Sequence, residues 1–280
     1  MKSFQVFFAL VLLSEGAWSS FNFEVGGSSS GGYFTAGVDV ELKELNQRLG
    51  SDLSLFSQGT VNSTKYTDSG TGEMKRELDY SFDGGGQFGF YEIYSGTMKA
   101  LYLSTPDQGI TASGGEIEWS ASPSDYFIGL MAGSLQYQHL IQFSTRRGSR
   151  TADNSLKQDW WGAQAGYDFE FASLSVAFQK FSYDRDVVQF VNFLNQPVVD
   201  YLVGASTSWV RSFPESRSTV SVTVPFREIW SVNVSGQKSV LEADSSVERT
   251  GTVAVTYDEE SRSFTLGAGS GLLFLGIQFN

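Results

Sequence analysis

The stretch Trp160-Trp161-Gly162-Ala163-Gln164-Ala165-Gly166-Tyr167-Asp168-Phe169-Glu170-Phe171 decides the fold. From Trp161 the odd positions read Trp, Ala, Ala, Tyr, Phe, Phe, while the even positions carry Gly162, Gln164, Gly166, Asp168 and Glu170. Side chains on a strand alternate between two faces, so this is one apolar face and one mostly polar face held over eleven residues. Eleven residues also match the ~9–11 that a tilted strand needs to cross hydrocarbon.

The same alternation recurs outward from this segment in both directions. Leu174, Val176 and Phe178 alternate with Ser173, Ser175 and Gln179; Val220, Val222, Val224 and Phe226 with Thr219, Ser221 and Thr223. Leu78, Tyr80 and Phe82 alternate with Glu77, Asp79, Ser81 and Asp83; Ile117 and Trp119 with Glu116, Glu118 and Ser120; Val253, Val255 and Tyr257 with Thr252, Ala254 and Thr256. In 125–145 the apolar positions Phe127, Met131, Leu135, Tyr137, Ile141 and Phe143 are all odd, which makes the odd face the apolar one. The pattern predicts about twelve strands, rising to fourteen if one of the long ones splits at Ser95-Gly96-Thr97 or at Gln138-His139: 32–42, 76–83, 86–104, 109–120, 125–145, 159–170, 172–182, 200–212, 217–230, 233–243, 246–258 and 262–279. Parity breaks between Ala268 and Leu273, which predicts a bulge or a small hairpin at Gly269-Ser270-Gly271.

Composition narrows the alternatives. The chain has 280 residues, no Cys, one His, 30 Gly, 15% aromatic residues and a net charge of −12. Without Cys there is no disulfide scaffold, thiolate metal site or cysteine nucleophile. An excess of 31 acidic over 19 basic residues excludes a nucleic-acid surface as the organising feature. Residues 1–19 read as a signal peptide: Lys2, then the apolar run from Val6 to Leu13, then Ala17 and Ser19 at the small-residue positions before cleavage. That run of eight is far short of the ~20 residues of a spanning helix. Residues 20–280 then form one all-β unit, in which residues 43–75 are a long first loop. Within it Leu42, Leu45, Leu49, Leu53 and Phe56 recur at helical spacing, suggesting a short helix or a plug as against an irregular surface loop.

Connections sort by position along the chain. Even-numbered ones are tight: Gly84-Gly85, Ala121–Ser124, Phe171-Ala172, Phe213–Ser216 and Ala243–Ser245. The three long ones, 43–75, 146–158 and 183–199, are all odd-numbered, although three other odd-numbered connections are short. Short turns at one end and long loops at the other are the layout of an antiparallel transmembrane β-barrel. Aromatic residues near strand ends, among them Tyr126, Phe127, Trp160, Trp161, Phe169, Phe171, Trp209, Phe226 and Trp230, fit its interfacial girdles. Glu92 and Lys180 fall on apolar parities and are expected near a membrane edge.

The last strand is the most specific feature. Leu273, Leu275, Ile277 and Phe279 alternate with Leu272, Phe274, Gly276 and Gln278, and an aromatic stands next to last. With this ending the chain resembles bacterial outer-membrane β-barrel proteins of the porin-like kind, with no specific subfamily indicated. The resemblance implies that Leu273, Leu275, Ile277 and Phe279 form the signal read by the outer-membrane assembly machinery, from which the terminal Asn280 is a departure. It implies a bacterial outer-membrane location, outer-membrane lipid as surroundings, and no nucleic-acid partner.

If the apolar parity faces lipid, the other faces a lumen containing Glu77, Asp79, Asp83, Glu116, Glu118, Asp168 and Glu170, with Arg227 among the few bases. Carboxylates lining a low-dielectric wall favour cations. The expected function is a narrow porin-like channel for small cations or small polar solutes. A non-transporting structural or adhesion barrel, and a secreted soluble β-sandwich binding module, are the alternatives. No enzyme activity, cofactor or metal site is expected. His139 falls on the parity taken as lipid-facing, with no assignable Ser partner, and Asp184-Arg185-Asp186 reads as a solvated loop cluster.

Overall fold

The structure is a computed structural model that describes residues 18–67, 72–91, 93–106, 109–145, 148–185, 187, 213–242 and 244–279. Its strands are β1 (Trp18–Ser28), β2 (Gly31–Glu41), β3 (Ser51–Thr67), β4 (Met74–Phe90), β5 (Tyr94–Thr105), β6 (Ile110–Ala121), β7 (Tyr126–Thr145), β8 (Gly148–Phe169), β9 (Ala172–Tyr183), β10 (Pro214–Arg227), β11 (Trp230–Leu241), β12 (Val247–Glu259), β13 (Arg262–Gly269) and β14 (Leu272–Phe279). Each pairs antiparallel with its neighbours in sequence, and β1 pairs with β14, so the sheet closes into a barrel without free edges. Closure matters because an open edge would leave backbone N–H and C=O groups unsatisfied in lipid.

The count is fourteen rather than twelve, and the differences have local causes. β1 was not expected as a strand. β3 lies within the expected loop 43–75, where only Lys43–Leu49 is helical (α1). The inward positions of β3, Ser54, Gln58, Thr60 and Asn62, have loop-like composition because a lumen wall is polar. α1 ends at Gly50 in the left-handed conformation (φ 62°), whose N–H donates to the Asn46 carbonyl at 2.9 Å. Asn46 then pins the start of β3, its Oδ1 accepting from Leu53 N–H at 2.7 Å and its Nδ2 donating to the Leu53 carbonyl at 3.2 Å.

Gly84-Gly85 is not a turn but the middle of β4; the chain reverses at Tyr91–Ile93, where Tyr91 has φ 56°. A Cβ on Gly85 would meet the Met98 carbonyl oxygen at 1.9 Å, so glycine is required there by the close approach of β5. Of the bulge or hairpin expected at Gly269-Ser270-Gly271 the structure has the hairpin: 262–279 is two strands joined at Ser270 (φ 49°) and Gly271 (φ 80°), a two-residue turn with both central residues at positive φ. The expected strand 200–212 and Trp209 lie outside the described residues, as does Glu92.

Register fixes the two faces of the wall. Phe23, Phe34, Val61 and Tyr80 follow one another through β1–β4 on one face, and Trp119, Leu130, Ala163, Phe178 and Ser218 do so through β6–β10. This face exposes Val25, Phe34, Ile117, Leu130, Val176, Val253, Leu266 and Leu275. A surface this apolar is stable only against lipid. At the end shared by the termini and the short turns it carries an aromatic girdle: Tyr94 on Trp119, Tyr167 on Phe169, Phe169 on Phe171, Phe226 on Trp230, and Trp230 on Tyr257. From Phe171 to Trp161 along one tilted strand is ~25 Å, the height of the apolar band of such barrels. Beyond Trp161 the outward row turns charged, with Lys157 paired to Asp159 at 2.8 Å. Lys180, beside Trp161 in the register and paired to Glu215 at 2.6 Å, marks the same boundary.

The expected facing holds for β4, β6, β8, β9, β10, β12 and β14 and is reversed for β7. There Ile128, Leu130 and Ala132 face out, while Phe127, Met131, Leu135, Tyr137 and His139 face in. β7 is apolar on both parities because its inner face packs into the lumen. His139 is accordingly fully buried and not a surface residue.

Candidate functional site: the lumen

The inner wall has two unlike halves. From β10 around to β3 it is lined by hydroxyls and amides that bond across strands: Thr35 with Thr60 at 2.9 Å, Thr256 with Thr265 at 3.1 Å, Ser235 with Thr252, and Asn233 Nδ2 donating to Ser221 and Thr223 at 2.9 and 2.8 Å. Tyr33 donates its hydroxyl to Glu24 at 2.6 Å. These short side chains leave this half with few charges, isolated carboxylates and Arg217 of β10, and leave room beside the wall.

The half from β4 to β9 carries a row of inward carboxylates and, towards the far end, a cluster of aromatic rings. Glu77, Asp79, Asp83, Glu116, Glu118 and Asp168 lie on the inward parity of β4, β6 and β8. Glu116 forms an ion pair with Lys99 at 2.7 Å and accepts from Trp160 Nε1 at 3.0 Å. Glu118 accepts from Gln164 Nε2. Both donors stand on β8, two strands away from β6, and reach their acceptors by lying flat over glycines of the intervening β7. A Cβ on Gly133 would stand 2.1 Å from the Trp160 ring, and one on Gly129 2.8 Å from Gln164 Nε2. Sequence reading found the carboxylates but missed these glycines, whose only signal is Gly129 and Gly133 repeating on the inward parity.

Not every expected lumen residue is on the wall. Glu170 lies in the two-residue turn after β8, and Arg227 ends β10 past a register shift, opposite the outward Trp230. Besides Lys99, a cation that does face inward is Arg217, 5.5 Å from the Phe181 ring centroid. Leu273, Leu275, Ile277 and Phe279 form the outward row of β14, with Leu275, Ile277 and Phe279 opposite Val25, Phe23 and Phe21 across the closing seam.

Towards the far end Leu135, Tyr137, Leu156, Trp160, Phe181, Val187 and Phe213 form a buried cluster. Tyr137 and Phe213 meet edge to face at 4.9 Å. A polar chain runs through it: Tyr137 donates to Gln158 Oε1 at 3.3 Å, Gln158 Nε2 to the Tyr183 oxygen at 2.8 Å, and the Tyr183 hydroxyl to the Pro214 carbonyl at 2.7 Å. Val187 and Phe213 are the described ends of the connection between β9 and β10, so both ends of that connection are packed into the barrel. α1, in contrast, packs on β3, with Leu45 and Leu49 exposed. Asp184 Oδ1 accepts the Lys157 N–H at 2.8 Å and Arg185 donates to the Ser155 carbonyl at 2.8 Å, tying the connection's base to β8; Asp186 lies outside the described residues. Among the described residues no three His, Asp or Glu side chains converge as a metal site.

No known protein family and no curated protein matches the sequence. Solved structures match in fold. The toluene transporter TodX of Pseudomonas putida aligns over 97% of this chain and 92% of its own, with TM-score 0.50 and 8% identity. A TodX deltaS2S3 mutant, a monoaromatic hydrocarbon channel, aligns over 96% and 90%, again with TM-score 0.50 and 8% identity. The monoaromatic hydrocarbon channel CymD aligns over 96% and 88%, with TM-score 0.50 and 9% identity. Closed, lipid-facing and fourteen-stranded, the chain is a membrane-spanning β-barrel of the bacterial outer-membrane type.

Proposed function

We propose that the barrel is a narrow porin-like channel that passes small cations and small uncharged polar solutes. The observation that carries this is the inner wall: hydroxyls and amides on one half, and on the other Asp83, Glu116 and Glu118 against the single inward lysine of β5, Lys99. Hydroxyl and amide groups replace water around a polar solute, and a carboxylate excess raises the local cation concentration. Both tests use protein refolded into vesicles. Reversal potential under a salt gradient should be cation-biased, and vesicles should swell in small neutral sugars faster than in anions of the same size. An anion-biased potential, or no swelling above protein-free vesicles, overturns the reading.

A second reading rests on the cluster of Tyr137, Trp160, Phe181, Tyr183 and Phe213. Aromatic faces of this kind would hold a small apolar aromatic solute, as the names of TodX and CymD indicate for those proteins. Quenching of Trp160 fluorescence by toluene, saturable in the parent and lost in Phe213→Ala, would favour it. Linear, unsaturable quenching would remove it.

A further inference from the structure

Past the apolar band, on the side away from the termini, the outward face becomes basic. On β4 the outward row runs Phe82, Tyr80, Leu78, Arg76; on β3 it runs Val61, Ser63, Lys65. On β11 it runs Val232, Val234, Gly236, Lys238, and on β12 Val255, Val253, Gly251, Arg249. All four cations are exposed, and the register sets them directly opposite one another in two pairs, Lys65 with Arg76 and Lys238 with Arg249.

Two like charges facing each other across neighbouring strands repel, with Cβ atoms ~5 Å apart. Among the described residues neither pair has a carboxylate in ion-pair contact. Lys65 Nζ donates to the Ser29 carbonyl at 3.4 Å and forms no ion pair. Of the other outward cations, Lys157, Lys180 and Arg262 are each paired, at 2.8, 2.6 and 2.9 Å, and Arg227 lies at the opposite end of the barrel, beside the turn from β10 to β11. In a chain of net charge −12, two unneutralised cation pairs at the same end of the barrel need a counter-charge from outside.

That counter-charge must be anionic at the level of the pairs and apolar beneath them, because each pair caps an apolar stripe: Leu78, Tyr80 and Phe82 of β4 below Lys65–Arg76, and Val232, Val234, Val253 and Val255 of β11 and β12 below Lys238–Arg249. We infer that Lys65–Arg76 and Lys238–Arg249 are two binding sites for the phosphate groups of phosphorylated lipid in the outer leaflet, whose acyl chains lie along the stripes below. A free phosphate would satisfy the cations but gain nothing from the stripes. Each pair presents two donors to one phosphate, and charge-assisted hydrogen bonds of this type are the strong ones.

The test is native mass spectrometry of the refolded barrel with three probes: a bis-phosphorylated, acylated diglucosamine lipid, the same lipid with both phosphates removed, and inorganic phosphate alone. The parent should hold up to two copies of the phosphorylated lipid, at least tenfold more tightly than the dephosphorylated one, and should show no comparable binding of inorganic phosphate. K65Q/R76Q and K238Q/R249Q should each lose one copy. Both variants should melt no lower than the parent in uncharged detergent, since they remove a repulsion. Equal retention of phosphorylated lipid by parent and variants, equal binding of both lipids, or binding of inorganic phosphate as tight as that of the lipid would overturn the inference.

Discussion

Gly133→Ala tests whether side chains of β8 lie flat across β7 inside the barrel. A methyl group at this position would stand 2.1 Å from Cζ2 of Trp160 and 2.8 Å from the Gly115 carbonyl oxygen. The carbonyl belongs to the strand beside β7 and is held by the sheet, so the indole must move. Overpacking of this kind costs about 1–3 kcal/mol. Displacing the indole also breaks its 3.0 Å bond to Glu116; hydrogen bonds to charged groups contribute about 1.5–3 kcal/mol. Glu116 retains Lys99 and is not fully enclosed, so the lower end applies and the sum is about 3 kcal/mol. With a urea slope of about 3 kcal/mol/M, the unfolding midpoint should fall by roughly 1 M. The assay is urea unfolding of the barrel in detergent micelles, followed by tryptophan fluorescence. Repeating it in a Trp160→Leu background isolates the pair, because only the 2.8 Å approach to the Gly115 carbonyl oxygen then remains and the loss should be clearly smaller. An unchanged midpoint in Gly133→Ala, or the same loss with and without the indole, would refute the crossing geometry.

The facing of β7 is tested by charge at adjacent positions. Leu130→Arg, on the lipid side, should cost about 2–4 kcal/mol of folding free energy in bilayers, whereas Met131→Arg, in the lumen, should cost clearly less; the reverse order would restore the parity read from sequence. Lys99→Gln removes the ion-pair partner of Glu116, and a permeant cation ~5 Å away then gains about 0.8 kcal/mol in a water-like medium, or about a fourfold higher cation preference. Reversal potentials in a salt gradient measure it, and a shift towards anions would contradict the assignment. His139, which is fully buried, should resist an acylating histidine reagent in the folded barrel and react on unfolding; rapid reaction in the native state would place it on the surface.

Most of the wall was legible because lipid demands one apolar face and nothing else in a strand repeats every two residues. That rule reads Val220 to Phe226 and Leu273 to Phe279 without ambiguity, and it places Glu116 and Glu118 opposite Ile117 and Trp119. It fails where the lumen is itself apolar, as in β7, since Phe127, Met131 and Tyr137 obey the same alternation from the inside. It fails again in β3, where Ser57 and Gly59 dilute the outer face and Ser54, Gln58 and Thr60 make the inner one resemble a loop. Gly84-Gly85-Gly86 was misread as a turn because a glycine required by a neighbouring strand's close approach looks the same in sequence as one required by a bend. The contacts of Trp160 and Gln164 with Glu116 and Glu118 could not be read at all, since they join strands that are not neighbours and depend on which β7 positions lack a side chain.

Single-channel recording in a planar bilayer addresses the central claim most directly. The refolded barrel should give discrete conductance steps with a cation-biased reversal potential under a salt gradient, and the bias should shrink in a Glu116→Gln/Glu118→Gln variant of unchanged fold. A folded, inserted barrel that gives no steps, or steps whose ion preference is indifferent to Glu116 and Glu118, would contradict it.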